Sequence, residues 1–174
     1  RKIHDLDVAV EGNIDGLCRH LAAKFGGKVR RHGRFCTAKI EFPERVSIDL
    51  AETRKEEYPD PARLPVVRPG APIEEDIARR DFAVQAMALR LNGPAAGLLI
   101  DPFNGRADLK TRTIRILHAS SFRDDPVRAF RAFRYASRYQ FRLDADTQKA
   151  LKELLGHPDY FRAARDRIFD EWRK

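Results

Sequence analysis

The hydrophobic periodicity of the chain changes near residue 117, and this change limits the folds open to it. In the first part, segments such as Asp5–Val10 alternate apolar and polar residues with period two, which predicts half-buried strands. In the second part, apolar residues recur at helical spacing, and Asp125-Pro126 is typical of a helix start. We therefore expect an α+β region over residues 1–117 and an all-helical region over residues 118–174.

Local signals refine this division. Asn13 is a suitable N-cap for a helix that Gly26-Gly27 would end. Five prolines between residues 57 and 72 predict an extended loop, and the pattern over residues 74–91 predicts a helix broken near Asp81. Further expected elements are strands at 28–31, 37–42, 46–50, 97–102 and 114–117, and helices at 144–156 and from about 160 to 174.

Both ends of the sequence predict that these residues belong to a longer protein. The strand at Asp5 has no earlier strand to pair with, and the helical pattern that reaches Lys174 has no stop signal. We expect the N-terminal part of the α+β region to be missing and the helical region to be truncated.

The charge of the chain is concentrated in one segment. Lys and Arg number 34 against 26 Asp and Glu, which gives a formal net charge of +8. Residues 110–142 hold nine of the basic residues and only two of the acidic ones. Such a local excess favours a polyanionic partner, either nucleotide phosphates or a nucleic-acid backbone, and the alternative is a solvated basic surface.

Apolar runs and cysteines exclude several classes of protein. No run of apolar residues approaches the length of about 18 that a membrane span requires, so no membrane partner is expected. Cys18 and Cys36 match neither a disulfide framework nor a zinc-binding spacing. Two reduced thiols in a cytoplasmic protein are the simplest interpretation.

Asp5 and Asp7 form the first candidate site. Side chains two residues apart on a strand share a face, so both carboxylates are expected on one face, about 7 Å apart. The other face carries Leu6, Val8 and Val10 and is expected to be buried. Two such carboxylates can hold one Mg²⁺, or two ions between them, because a cation relieves their mutual repulsion. Asp49 adds a possible third ligand if its strand lies alongside. The alternative for this motif alone is an exposed acidic strand face.

The helix that follows Asp125 carries a face made of arginine alone. At 100° per residue this face spans about 120° and has no acidic neighbour at i+3 or i+4. It consists of Arg128, Arg131, Arg134 and Arg138. The opposite side, expected to pack on the core, consists of Ala129, Phe130, Ala132, Phe133 and Ala136. The planar fork of arginine suits bidentate bonds to phosphate or to a base edge.

Asp125 and Arg128 lie one helical turn apart and offer an acceptor beside a donor. Cytosine and adenine present an amino donor beside a ring-nitrogen acceptor, whereas uracil and guanine present the reverse polarity at the ring nitrogen. The pair can therefore select C and A by leaving polar groups unpaired when the wrong base binds. The alternative is an ordinary N-cap aspartate with an arginine nearby.

Four segments of the sequence resemble the class II tRNA nucleotidyltransferases, which include CCA-adding and A-adding enzymes and the related bacterial poly(A) polymerases. The segments are Asp5–Gly12, Arg79–Ala88, Ile100–Gly105 with Asp108-Leu109, and Ser121–Arg128 running on through Arg131 and Arg134. The resemblance covers nearly the whole chain. It implies a polymerase-beta-like α+β head with a mixed five-stranded sheet, followed by a helical neck.

The resemblance also implies a role for each candidate residue. Asp5 and Asp7 match the catalytic metal ligands, and Arg80 matches an arginine that contacts the incoming nucleotide. Asp125 and Arg128 match the pair that acts as a protein template for C and A. Further matches are nucleotide contacts at Arg131 and Arg134 and a motif that braces the template helix at Arg167 and Glu171.

The chain departs from the family pattern at a few positions. Ala83 and Gln85 stand where Thr and Asn are usual, and Asp124 stands where Glu is commoner. The glycine-rich motif that cradles the triphosphate, and the body and tail that grip the tRNA elbow, have no match in the sequence.

The reaction implied by the resemblance is template-independent nucleotidyl transfer. The 3′-hydroxyl of a tRNA attacks the α-phosphate of ATP or CTP and releases pyrophosphate in a two-metal reaction, with the Mg²⁺ ions held by Asp5 and Asp7. We expect these carboxylates and the arginine helix to face one triphosphate. The alternatives are a poly(A) polymerase acting on other RNA 3′ ends and a non-catalytic RNA- or nucleotide-binding module. A metal-dependent phosphohydrolase is disfavoured because no two of the five histidines have ligand spacing.

Overall fold

The computed structural model describes most of the chain, namely residues 5–32, 36–44 and 46–173. It contains two compact units, of which the first comprises residues 1–56 and 67–76 and the second residues 57–66 and 77–174. The predicted head–neck boundary near residue 117 lies inside the second unit. The division into a head and a neck therefore stays a prediction.

The first unit is built on a mixed four-stranded sheet and one long helix. In chain order the elements are β1 (Asp5–Val10), α1 (Asp15–Phe25), β2 (Lys28–His32), β3 (Thr37–Glu41) and β4 (Ser47–Glu52). The order across the sheet is β1-β4-β3-β2, with β1 parallel to β4 and the other pairs antiparallel. This arrangement confirms the α+β class, although the described sheet has four strands where the resemblance implies five.

One face of this sheet is covered by α1. The core between them consists of Ile14, Cys18, Ala38, Ile40 and Leu50. Alternation along β1, β3 and β4 thus turns one set of side chains toward α1 and the other set away from it. The expected burial of Leu6 is wrong, since Leu6 is 42% exposed and only Val8 and Val10 of its set pack against this core. The helix starts slightly later than predicted, since Ile14 is the N-cap and the Asn13 side chain accepts from the Asp15 N–H. It ends as predicted at Gly26, which has the left-handed conformation that favours glycine.

The proline-rich segment and the predicted helix after it differ from expectation. Three elements occur here: β5 (Arg54–Glu57), β6 (Val66–Pro69) and α2 (Ile73–Ala78). β5 and β6 form a two-stranded sheet, so part of the expected loop is a strand. The helix expected over 74–91 ends at Ala78, because Phe82 is extended, completely buried and bridged to Ile116. Burial of that aromatic ring outweighs the helical pattern of its neighbours.

The second unit is mostly helical. After a 3-10 turn at Ala83–Gln85, its elements are β7 (Ala88–Leu89), β8 (Leu99–Ile100), α3 (Gly105–Thr111), β9 (Thr113–Ile114), α4 (Ser121–Asp124), α5 (Val127–Tyr139), β10 (Arg142–Leu143), α6 (Ala145–Leu155), α7 (Pro158–Ala163) and α8 (Arg165–Trp172). Its core consists of Phe82, Ile114, Ile116, Phe122, Ala129, Ala132, Ala150 and Leu154. The Asp144 side chain accepts from the Thr147 N–H and caps α6 as predicted.

Two expectations for the helices of this unit are wrong. The final helix is interrupted at the buried Ala164, which separates α7 from α8. On α5, Phe133 is 51% exposed instead of packing in the core. The buried stripe of α5 runs through Arg128, Ala129 and Ala132, and this stripe leaves Phe133 on the solvent side.

Membrane insertion finds no support in these elements. None of the helices in the described ranges combines the length and the apolar content that a bilayer span requires.

Gly105 gives a test of the packing in the second unit. A Cβ added there would lie 2.0 Å from the backbone oxygen of Ala83, so Gly105→Ala must displace backbone. We expect it to lower the free energy of unfolding by about 1–3 kcal/mol, measured by urea denaturation. Gly16→Ala is the matched control, because Gly16 lies within α1 and an added Cβ there would meet nothing within 4 Å. A loss at Gly105 no larger than that at Gly16 would contradict this close contact.

Candidate functional site

The first candidate site is a row of charged side chains across the sheet of the first unit. β1 and β4 pair in a register that sets Asp7 beside Asp49. β3 and β4 pair in a register that sets Lys39 on the other side of Asp49. In-register residues on adjacent strands point to the same face and lie about 5 Å apart. The predicted condition for Asp49, that its strand lies alongside that of Asp7, is therefore met.

Asp49 already has one cationic partner in this row. The Lys39 ammonium donates to Asp49 Oδ2 at 3.0 Å, and about a third of each side chain is exposed. Asp7 is exposed, while the side chain of Asp5 lies outside the described residues. Among the side chains that the structure describes, no three His, Cys, Asp or Glu residues group as a metal site. The ligand set of Asp5, Asp7 and Asp49 stays a prediction.

The second candidate site is a buried ion-pair cluster in the second unit, centred on Asp81. Asp81 Oδ1 lies 3.4 Å from Arg128 Nε, and Asp81 Oδ2 lies 2.8 Å from Arg131 Nε. One carboxylate thus serves two arginines that are one turn apart on α5. Two of the four arginines on this face therefore share a counter-ion that lies far from them in the sequence, beyond the i+3 and i+4 neighbours.

Arg128 is almost completely buried, with 3% of its surface exposed. Its Nη1 donates to Ser121 Oγ at 3.0 Å, and its Nη2 donates to the Arg79 carbonyl at 2.9 Å and to the Tyr58 hydroxyl at 3.3 Å. The guanidinium carbon also lies 5.5 Å from the centre of the Tyr58 ring. The fork of Arg128 is therefore held in one orientation, as a base-reading role requires, but most of its donors already have acceptors.

Two further ion pairs join α5 and its preceding turn to α8. Asp125 Oδ1 accepts from Arg167 Nη1 at 2.8 Å and from the Val127 N–H at 3.1 Å. Glu171 Oε1 accepts from Arg134 Nε at 2.7 Å, and the Glu171 side chain is 4% exposed. The structure thus brings together Asp125, Arg128, Arg131 and Arg134 with the two residues, Arg167 and Glu171, that the resemblance assigns to bracing.

Arg80, the remaining predicted nucleotide contact, immediately precedes this cluster in the chain. It lies in the turn after α2, where its backbone N–H bonds to the Ile77 carbonyl at 3.2 Å, and it is half-buried. Its position next to Asp81 places it in the same unit as the arginines of α5.

Burial and charge shift two pKa values in this cluster. Burial raises the pKa of Asp81, and the favourable charges of Arg131 and Arg128 offset this only in part. Burial also acts to raise the pKa of Tyr135, but hydrogen bonds with Gln85 and Arg131 outweigh it, so this pKa is lowered. The cluster is a costly, desolvated arrangement, of the kind that fixes geometry more than it adds stability.

Asp81 and Tyr58 are functional candidates that the sequence did not single out. Asp81 belongs to the segment Arg79–Ala88 that carries part of the family resemblance. An acidic residue between two arginines and a phenylalanine could have indicated a buried counter-ion at this position. Tyr58 had no such signal, because it reaches Arg128 from a segment 70 residues earlier in the chain.

Asp81→Asn tests the cluster. The substitution leaves the buried charge of Arg128 without its counter-ion, so we expect the free energy of unfolding to fall by about 3 kcal/mol in urea denaturation. Asp166→Asn is the control, because the Asp166 side chain is 91% exposed beside Arg165 and such a pair contributes little. Equal stability of the two variants would show that Asp81 is not the counter-ion of Arg128.

Comparison with known proteins shows which family the chain belongs to. The sequence profile described as the poly A polymerase head domain matches residues 1–115. The A-adding tRNA nucleotidyltransferase of Halalkalibacterium halodurans is 42% identical over 143 residues, which cover 82% of this chain and 33% of that protein. The CC-adding tRNA nucleotidyltransferase of Deinococcus radiodurans is 35% identical over 185 residues, which cover 97% of this chain and 49% of that protein.

A solved structure gives the same result for the fold. A tRNA nucleotidyltransferase crystallised with a primer tRNA and an incoming ATP analogue is similar with a TM-score of 0.83 and 36% identity, over 99% of this chain and 47% of that one. The chain thus spans less than half the length of each of these relatives. Since the head-domain profile covers well over half of the sequence, the chain belongs to the tRNA nucleotidyltransferase and poly(A) polymerase family.

Proposed function

We propose that the protein transfers AMP, CMP or both from ATP and CTP to the 3′ end of tRNA and releases pyrophosphate. The observation that carries this proposal is the register of β1 and β4, which sets Asp7 beside Asp49. Asp5 lies two residues before Asp7 on β1, so the strand period assigns it to the same face. Relatives crystallised with a primer tRNA and an ATP analogue, with CTP, or with ATP support the choice of substrates.

The metal ion of the proposed reaction is Mg²⁺. Members of this family use a divalent metal, and carboxylate oxygens on one strand face are the donors that a hard cation prefers. We assign the ion to Asp5 and Asp7, with Asp49 as a third ligand through the oxygen that Lys39 does not hold. When bound, one Mg²⁺ would lower the pKa of the attacking hydroxyl, and a second Mg²⁺ held by the same carboxylates would neutralise the leaving pyrophosphate.

The nucleotide would be bound by arginines of the second unit. Arg80, Arg131 and Arg134 supply positive charge for its phosphates, while Asp125 and Arg128 read the base. What supports the reading role is the fixed orientation of both side chains, since Asp81 and Tyr58 hold Arg128 and Arg167 holds Asp125. Selection would follow because a base of the wrong polarity leaves a buried donor or acceptor unpaired.

The location and the domain roles are part of the same proposal. We place the protein in the cytoplasm, where the free thiols of Cys18 and Cys36 remain reduced. We assign the catalytic head to residues 1–117 and the neck with the template helix to residues 118–174.

The identity of the product separates this proposal from its alternatives. The protein should be incubated with tRNAs ending before, within or after CC, and with an unrelated RNA, supplying one labelled nucleotide at a time. Addition restricted to tRNA supports the proposal, and long AMP tails on any RNA would instead identify a poly(A) polymerase. RNA or nucleotide binding without any incorporation would identify a non-catalytic module.

The carboxylate assignment has a direct test. Asp5→Ala or Asp7→Ala should abolish incorporation of labelled ATP, because the metal ligands are lost, while ATP binding measured by equilibrium dialysis survives. Glu44→Gln is a suitable control, because it removes an exposed carboxylate from the same unit. Undiminished incorporation by the Asp7 variant would end the metal assignment.

The base-reading assignment concerns selectivity. Arg128→Ala should blur the preference for C and A over U and G, measured as the ratio of incorporation rates for the four nucleotides. Because Arg128 is buried among several partners, Arg128→Lys is the companion variant, which keeps the charge beside Asp81 and loses the planar fork. If both variants fold and lower all four rates equally, Arg128 does not read the base.

A further inference from the structure

The basic residues of segment 110–142 fall into two groups in the structure. Five of the nine lie within 4 Å of a carboxylate: Arg115 pairs with Asp108, Arg123 with Asp124, Arg128 and Arg131 with Asp81, and Arg134 with Glu171. The other four are Lys110, Arg112, Arg138 and Arg142. Within residues 5–32, 36–44 and 46–173, none of these four forms an ion pair. We call these four residues the basic edge.

The backbone brings the members of the basic edge close together. Lys110 and Arg112 end α3, Arg138 lies in the last turn of α5, and Arg142 begins β10. The Arg142 N–H donates to the Arg112 carbonyl at 2.9 Å, and β10 pairs with β9 so that Arg142 lies beside Thr113. All four side chains of the basic edge are exposed.

An aromatic side chain accompanies the basic edge. Tyr139 is 52% exposed and stacks on Tyr135, with ring centres 6.1 Å apart and planes inclined by 22°. The guanidinium carbon of Arg138 lies 5.7 Å from the centre of the Tyr139 ring. Exposed arginines beside an ordered tyrosine are the combination that proteins present to single-stranded or looped RNA.

Helix-end electrostatics explain only part of this arrangement. Cations are favoured at the C-termini of α3 and α5 by the helix dipole, which accounts for Lys110 and Arg138. Arg142 lies on a strand and gains no such term. The next acidic residue in the chain, Asp144, uses its carboxylate to cap α6. The basic edge therefore keeps a local excess of positive charge that the fold itself does not require.

We propose that the basic edge binds the phosphodiester backbone of the RNA substrate, separately from the arginines that pair with Asp81 and Glu171. This proposal rests on the proposed function for the identity of the RNA. Four exposed cations without carboxylate partners can release counterions from phosphates, which gives affinity without base sequence preference.

The test measures binding of a tRNA that ends in CC by fluorescence anisotropy at several salt concentrations. The first variant replaces all four residues of the basic edge, through Lys110→Gln, Arg112→Gln, Arg138→Gln and Arg142→Gln. Affinity falls as salt rises, and we expect the plot of log affinity against log salt to become less steep by about 3 in this variant, since each lost phosphate contact removes about 0.7–0.9. The control removes four exposed charges elsewhere, through Arg19→Gln, Lys24→Gln, Lys149→Gln and Lys152→Gln. Thermal unfolding verifies that both variants are folded.

Each outcome of this test decides the proposal. A smaller slope in the first variant, with the control close to the unchanged protein and ATP affinity retained, supports an RNA surface. Equal slopes of log affinity against log salt in the two variants would overturn the proposal and show that the basic edge is only a solvated basic surface. Loss of ATP affinity in the first variant, or an equal loss of binding to polyglutamate, would also overturn the proposal. Absence of nucleotidyl transfer by the unchanged protein would refute the proposed function alone, because the binding measurement requires no catalysis.

Discussion

The buried carboxylate of Asp81 is the interaction on which the helical unit depends. An arginine with 3% of its surface exposed is tolerated at Arg128 only because a counter-ion lies beside it, and Asp81 provides this charge for Arg131 as well. The position of Asp81 is in turn set by Phe82, whose ring is buried in the core and whose backbone bridges Ile116. The burial of Phe82 thus determines the position of the neighbouring Asp81 carboxylate.

Two oppositely directed ion pairs then fix how α8 lies along α5. Asp125 precedes α5 and binds a cation of α8, whereas Arg134 lies two turns further along α5 and binds an anion of α8. The partners on α8, Arg167 and Glu171, are one turn apart. Sliding α8 along α5 by one turn would bring like charges together, so the pattern of signs specifies a single register for the two helices.

The sequence predicted those features that depend on neighbours within a few residues. The alternation in Asp5–Val10 was readable because strand period is local. The helix start near Asp125-Pro126 was predicted one residue too early, since Pro126 is the N-cap and α5 begins at Val127. The helix expected over 74–91 failed since the burial of Phe82 is a tertiary effect. The partners of the α5 arginines were equally hidden, because Asp81 and Glu171 lie 37 or more residues away from them in the chain. Residue types and spacing identified the candidate residues, but they did not identify the carboxylates that balance the charge of these arginines.

The crowded surroundings of Arg128 have a thermodynamic consequence for any ligand that contacts it. Ser121, Tyr58 and the Arg79 carbonyl already accept from its guanidinium, so a base that hydrogen-bonds to this group exchanges one acceptor for another. Such an exchange adds little affinity, because nearly as many bonds are broken as are made. A mismatched base is still penalised, because the ring N–H of uracil or guanine would face the donors of Arg128 and be left without an acceptor. A guanidinium of this kind contributes to discrimination between ligands far more than to the strength with which any one of them is held.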